Sequence, residues 1–517
     1  MRSVLPRQAA LVAAMTGLTL TTVACGSDSA AGSSGHGSMT VLVTQEARSL
    51  DPTVASLSQI TGGTQAAAVF DVLLWIDPKT GRAEPQLAER ATAAEGGRVW
   101  TLRLKPDLKF SDGTPLDAEA VKFNWARHAD PANRSMQARV VAGLDVAVTD
   151  NRTLAITLPA PNAHFDKVIA HNLAFIGSPT AIKADPKGFG NKPVGAGPYK
   201  VKSWVRDQQL VLERNPRYWQ PGGRPPLKEL ILKPVVDQSQ RLAMLNANQA
   251  HVLTTAQAKL MGDAQKAGLP VATEGKNGGF MTLFNTSRPP FDDPRARRAY
   301  ALIMDPVDRA KVVTANAGKP LSTFLRPGTE FTAADAVLPA NNRAEAQRLL
   351  DQLAAEGKPL SFTYSTYNSP GSHLTAEYWL AQVATMKNIT MKTEFLEGTQ
   401  YLQKVQIQRQ FEAGEFVLSF DDPEPVLYNF LHSKGQDNHM QWKSPAVDQA
   451  LDQARAGTDA QARKAAYALV QRELAKDVPL FAYEQAFTAA IQAKDAKVTG
   501  LTVFEDGLIM FDRLGLA

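Results

Sequence analysis

Between residues 344 and 420 the apolar residues switch repeatedly between a helical period and a period of two, and this alternation restricts the architecture more than any other feature. The stretch AEAQRLLDQLAAEG places Ala346, Leu349, Leu350 and Leu353 on one helical face and ends at Gly357. LSFTYST follows, with Leu360, Phe362 and Tyr364 alternating. Then come a helix in HLTAEYWLAQVATMK, a strand in ITMKTEF, a helix in TQYLQKVQIQRQ and a strand in EFVLSF. Such an order predicts an α/β fold whose parallel sheet is covered by helices. Ligands of such sheets sit beyond the carboxyl ends of the strands. Here the strand ending at Phe420 runs directly into DDPEP, so Asp421 and Asp422 are expected at the crevice.

The first half has a different texture, rich in strands with isolated helices. MTVLVTQEARSLDP predicts a strand from Thr40 to Thr44 that reaches a turn at Asp51-Pro52, and the apolar run in FDVLLWIDPKTG is closed by Asp77-Pro78 and Thr80-Gly81. Trp100, Leu102 and Leu104 alternate with Val99, Thr101 and Arg103. An Asp112-Gly113 turn then leads to a helix capped by Asp117, with Val121 and Trp125 on one face. DVAVTDNRTLAITL predicts a hairpin about Asp150-Asn151. A second hairpin is expected with Tyr199, Val201, Leu210 and Leu212 inward. From about Pro289 the texture changes: Asp293 caps and Pro294 opens a helix carrying Ala296, Ala299, Tyr300 and Ile303. The last helix has Thr458 and Gln461 as an expected capping box, with Ala466, Leu469, Val470 and Leu474 inward. No tandem repeat of 20 to 50 residues is visible.

Cys25 is the only cysteine in 517 residues, so no intramolecular disulfide is available and the fold must rest on buried apolar surface. Arg2 and Arg7 precede a largely apolar run from Ala9 to Ala24, which reads as a secretory signal over residues 1–24. Nothing later approaches the ~20 apolar residues needed to span a bilayer. At 44% hydrophobic and 21% charged residues the composition is that of a globular protein. The formal charge is +5, two of it from Arg2 and Arg7, and no Lys/Arg block occurs, which argues against nucleic acid as a partner. Val23-Ala24-Cys25-Gly26 resembles the lipobox of bacterial lipoproteins, with Thr22 where that pattern prefers Leu. The resemblance implies diacylglycerol on the Cys25 sulfur, a membrane lipid anchor, and an extracytoplasmic protein. The Gly/Ser-rich residues 25–38 are then a flexible tether.

Five further stretches resemble, in order, the extracellular solute-binding proteins of family 5, the oligopeptide, dipeptide and nickel receptors of ABC importers. They are LDPTVA with VFDVLLWIDPKTGRAEPQLAER, LRLKPDLKFSDGTPLDAEAVKF, VGAGPYKVKSWVRDQQLVLERNPRYW, FNTSRPPFDDPRARRAYALIMD and ARKAAYALVQRELAKDVPLFAYE. The resemblance implies a two-lobed periplasmic-binding-protein-like fold with a hinge between the lobes. Lobe I would comprise 39–83, 185–288 and the returning 490–517, with an extra subdomain at 84–184; lobe II would be 289–489. It further implies a monomeric receptor that captures a small solute, first of all oligopeptides, and hands it to an ABC permease. A nickel chelate, a sugar or another metabolite is the alternative ligand, and a secreted cleft hydrolase the alternative class.

Two site residues follow from the resemblance. DDPEP reproduces an Asp-x-x-Glu-Pro pattern in which the Asp, here Asp421, accepts a peptide's α-ammonium, a charge-assisted bond. Glu46 matches a pocket-lining Glu. Leu418 stands where many members carry Trp, a change that suits a different ligand. On the residues alone, Asp421 and Asp422 read first as the start of a turn. Strand-end placement and the resemblance favour a ligand contact for Asp421 and leave Asp422 open. Glu46 reads equally as a solvated residue after an edge strand. Tyr364, Phe420 and Trp442 are candidates for pocket lining and equally for core, whereas Trp204 and Trp219 read as core. His432 and His439, the histidines nearest the crevice, have no partner at metal-site spacing and read as surface residues, so no metal and no cofactor are expected. No G-x-S-x-G elbow, Walker loop or paired-cysteine motif is present, and no catalytic residue is assigned.

Overall fold

The computed structural model describes residues 37–220 and 227–517. The expected signal, the Cys25 anchor and the tether up to residue 36 lie outside the described residues. Ser38, the end of the expected tether, already opens the first strand, which runs Ser38–Val43.

One sheet of ten strands links the whole molecule. Its spatial order is Ile389–Leu396, Leu360–Tyr367, Ala413–Phe420, Val271–Phe284, Leu480–Gln492, Val252–Thr255, Ser38–Val43, Glu229–Pro234, Gln209–Arg214 and Tyr199–Val205. The three strands expected from the alternating period are parallel, with Leu360–Tyr367 between the other two. They need cover on both faces, and the sequence supplies it. Ala299, Leu350 and Trp379 pack with Leu360, Phe362 and Tyr364 on one side. Leu427, Leu451 and Leu474 pack with Met281 and Leu480 on the other. A separate four-stranded antiparallel sheet, built from Ala88–Ala94, Val99–Leu104, Thr153–Thr157 and Asp145–Asp150, closes its own core around Trp100, Leu102 and Trp125.

Two long strands carry the chain between lobes. Val271–Phe284 and Leu480–Gln492 run antiparallel; at one end Leu480–Gln492 pairs with Val252–Thr255, and at the other Val271–Phe284 pairs with Ala413–Phe420. Their register breaks between Gly275 and Gly279, which bends the sheet where the lobes meet. Val271–Phe284, ahead of the texture change at Pro289, thus pairs with neighbouring strands on both sides of this break. Gly278 has φ +77°, and a Cβ there would lie 2.4 Å from the Leu418 carbonyl oxygen.

Local signals mostly behave as the residues dictate. Asp117 accepts from the Ala120 N–H at 2.9 Å and Asp293 from the Arg295 N–H at 2.9 Å. The hairpin about Asp150 forms as expected. Three details differ. The last helix is capped by Asp459, whose carboxylate accepts from the Ala462 N–H at 2.6 Å, in place of the Thr458–Gln461 box. An ionised carboxylate is the stronger acceptor for an orphan helix N–H. Leu469 is exposed, because the buried stripe passes through Tyr467, Val470 and Gln471 instead. Residues 402–407 are wound as a π-helix after one α-turn, a variant that periodicity does not separate from an α-helix.

Gly278→Ala should destabilise the protein by about 2 kcal/mol or more, combining left-handed strain with the clash on Leu418. Urea denaturation would show the midpoint falling, while Gly357→Ala, with φ +76° but open space around its Cβ position, should lose less.

Candidate functional site

Where the two lobes and the subdomain converge lies a cavity of about 730 Å³, lined by Ser58 and Asp506 from the first lobe, Arg139 and His171 from the subdomain, and Leu418 and Asp437 from the second lobe. A hollow of about 860 Å³ around Pro290, Arg295 and Lys358 is formed by the second lobe alone, so it cannot report lobe closure. The central cavity falls within the range of about 300–1,000 Å³ found for small-ligand sites.

Its most informative wall is a strand edge. Ala413–Phe420 is paired along its length with Val271–Phe284, but on its other side it pairs with Leu360–Tyr367 only at Ala413 and Gly414. No described strand covers the stretch beyond. The Leu418 carbonyl is turned toward Gly278 and the Glu415 carbonyl toward the Tyr401 hydroxyl, on opposite sides. Backbone groups alternate along a strand, so Val417 and Ser419 present their N–H and C=O to the uncovered side. Val417, Leu418 and Ser419 all line the cavity.

Of the site residues expected from sequence, Leu418 alone lines this cavity. Asp421 is 5% exposed and accepts from the Lys276 ammonium through both oxygens, at 2.7 and 2.6 Å. Burial pushes its carboxyl up to about 6 against the pull of Lys276. Asp422 is gripped by Lys167 of the subdomain and by Arg463, the latter at 2.5 and 3.2 Å. Burial alone would raise its carboxyl, but these two cations outweigh it and hold it below the ordinary 3.8. Glu46 accepts from Trp204 Nε1 at 2.8 Å and from the Asp207 N–H at 3.1 Å, in the first lobe. Phe420, Tyr364 and Trp442 are buried in the cores of the second lobe. Trp204, expected as core, is only partly buried, with the Arg206 guanidinium 3.6 Å over its ring.

The histidines also depart from expectation. His432 and His439 are buried, not surface residues. Burial pushes the His439 ring down to about 4, so it is neutral, and it lines the cavity. No group of three His, Cys, Asp or Glu side chains among the described residues is arranged to hold a metal ion.

Around DDPEP the residues form a seam. Glu424 accepts from Arg455 at 2.6 and 2.9 Å and from Asn162 Nδ2 of the subdomain at 3.2 Å. The Ala163 N–H donates to the Arg455 carbonyl at 2.9 Å. Burial pushes His164 down to about 4, so it is neutral, and its Nε2–H donates to the Gly457 carbonyl at 3.0 Å. Sequence reading missed this seam, and it missed Asp437, Asp506 and His171 at the cavity. Each of these lies in a stretch whose only local signal is a turn or an ordinary helix, and the three come together only in space.

The family described as bacterial extracellular solute-binding proteins, family 5, middle, matches residues 82–438. The chain belongs to that family. Family 5 relatives include the glutathione-binding protein GsiB of Pectobacterium atrosepticum, 28% identical over 494 residues that cover 90% of this chain and 91% of that protein. Among solved structures, the oligopeptide-binding protein AppA of Bacillus subtilis, in complex with a nonapeptide, superposes with a TM-score of 0.79 at 20% identity, covering 93% of this chain and 99% of AppA. The murein tripeptide binding protein MppA of Escherichia coli does so at 0.79 and 22%, with the same coverage. The two-lobed α/β fold expected from sequence is thus the fold of the family, and the chain is a solute-binding protein of the kind that serves ABC importers.

Asp422→Asn should cost about 3–5 kcal/mol, because Lys167 and Arg463 would be left buried without a countercharge. The folded carboxyl titrates below its unfolded value, so its contribution is intact above about pH 4 and is lost as the pH falls through the folded pKa. Denaturation curves of parent and variant should therefore differ most near neutrality and converge in acid.

Proposed function

We propose that this family 5 protein captures short peptides in the central cavity, with the peptide backbone adding as a strand to the Val417–Ser419 edge. The uncovered strand edge is the observation that carries this reading. An extended peptide supplies the donors and acceptors that Val417 and Ser419 need, and main-chain bonding leaves side chains free to vary. The cavity volume suits a peptide of a few residues. GsiB, MppA and AppA, which by name or complex bind glutathione, a murein tripeptide and a nonapeptide, support peptide-like ligands in general.

In this reading the protein does no chemistry. It closes on the peptide because the closed state offers contacts from both lobes, and returns it intact to an ABC permease. The Cys25 lipobox supports anchoring to the outer face of the cell membrane through lipid, with the residues that follow as the leash.

Native mass spectrometry of the protein without its tether, followed by denaturation, should release peptides. A single non-peptide metabolite would overturn the peptide assignment, and chemical conversion of an added peptide would overturn the receptor reading. Methylating one ligand amide that pairs with Val417 or Ser419 should weaken binding about five- to tenfold in calorimetry, the worth of one backbone hydrogen bond.

A further inference from the structure

The carboxylate expected to greet a peptide's amino terminus is already occupied by the chain itself. Lys276 lies in the register break of the hinge strand, and its ammonium spans both oxygens of Asp421 with 1% of the lysine side chain exposed. A second ammonium would have to displace this buried cation from its countercharge, which is costly. Asp421 is also absent from the cavity wall.

Another carboxylate is on that wall. Asp506 lines the cavity, and its carboxylate is met by neutral donors, the Ser58 hydroxyl at 3.3 Å and the Gln59 backbone N–H. Among the described residues no ion pair includes it. Its neighbour Glu505 is 8% exposed and gives one oxygen to His171 Nδ1 at 2.8 Å, while its other oxygen, Oε1, is buried without a hydrogen-bond partner. Glu505 and Asp506 thus lie together beside the cavity, with His171 bonded to Glu505 alone and Lys276, whose charge also reaches Asp506, committed to Asp421 among the described residues. Burial and Glu505 push the Asp506 carboxyl up to about 6, against the Ser58 and Gln59 donors and the charge of Lys276.

We propose that the ligand's ammonium group is received at Asp506, backed by Glu505, and not at Asp421, which Lys276 holds. The proposal rests on the peptide reading and sharpens it. Asp506 belongs to the chain segment that returns to the first lobe, whereas the Val417–Ser419 edge belongs to the second, so a peptide bound by amine and backbone together bridges the lobes and favours closure.

The test is competition between a mixed tripeptide library and its N-acetylated form for the full chain, read by native mass spectrometry. The parent should prefer the free-amine library by about ten- to a hundredfold, the worth of a hydrogen bond to a charged group. Asp506→Asn should abolish that preference while still binding acetylated peptides, which shows that the variant is folded; Asp506→Ser, with the same expected loss, replaces it if the Asn protein does not fold. Asp421→Asn should keep the preference. The proposal is overturned if Asp506→Asn keeps the preference, if Asp421→Asn removes it, or if the parent binds both libraries equally. Should the parent bind neither library, the peptide reading itself fails, and this proposal falls with it.

Discussion

The antiparallel pairing of Val271–Phe284 with Leu480–Gln492 is the constraint on which the other features depend. Because these two strands cross between lobes, both lobes are parts of one sheet, and every rotation of one lobe on the other must be absorbed where the pairing fails. The break between Gly275 and Gly279 supplies that place. It also explains why glycine stands at three of its five positions: a Cβ at Gly278 would meet the Leu418 carbonyl at 2.4 Å, and one at Gly279 the Glu484 carbonyl at 2.2 Å. The strand that carries the cavity edge pairs directly with this break, so the cavity-facing backbone and the bending point share one ladder.

Charge burial at the same junction is handled with cations from neighbouring elements. Lys276 answers Asp421 within the hinge, Lys167 and Arg463 answer Asp422, and Arg455 answers Glu424. Burial opposes ionisation at Asp421 and Asp422 alike, yet only Asp422, with two cations, is held below its ordinary value. Asp421, with one cation and with Glu505 and Glu274 nearby, is not. The acidic run DDPEP therefore does two jobs: its first residue braces the hinge, and the others fasten the subdomain to the second lobe.

How much of this was legible beforehand depended on how local each signal was. The parallel strands between Leu360 and Phe420 were readable because period and turn chemistry are written in adjacent residues. The caps at Asp117 and Asp293 were readable for the same reason. The role of Asp422 was not, since Lys167 lies 255 residues away in sequence and no pattern links the two. Asp506 illustrates the same limit: the Glu-Asp-Gly triplet signals only a turn, and its place on the cavity wall depends on the chain end returning to the first lobe. Tyr364 and Phe420 show a further limit, in which alternation predicted their strands while leaving open which face meets the core.

The seam between subdomain and second lobe bears on how such a receptor can close. Its bonds, from Asn162, Ala163, His164 and Lys167 to Glu424, Arg455, Gly457 and Asp422, involve no ligand. They hold the subdomain against the second lobe without a ligand, and where closure makes them, the ligand need supply only the remaining difference between open and closed states. A seam that is too strong would close the cavity empty and slow entry; one that is too weak would leave the whole of closure to the ligand and lower its apparent affinity. Buried ion pairs suit this role, because the desolvation they suffer offsets most of their attraction and leaves a small net preference. That balance leaves closure sensitive to a ligand that touches both lobes.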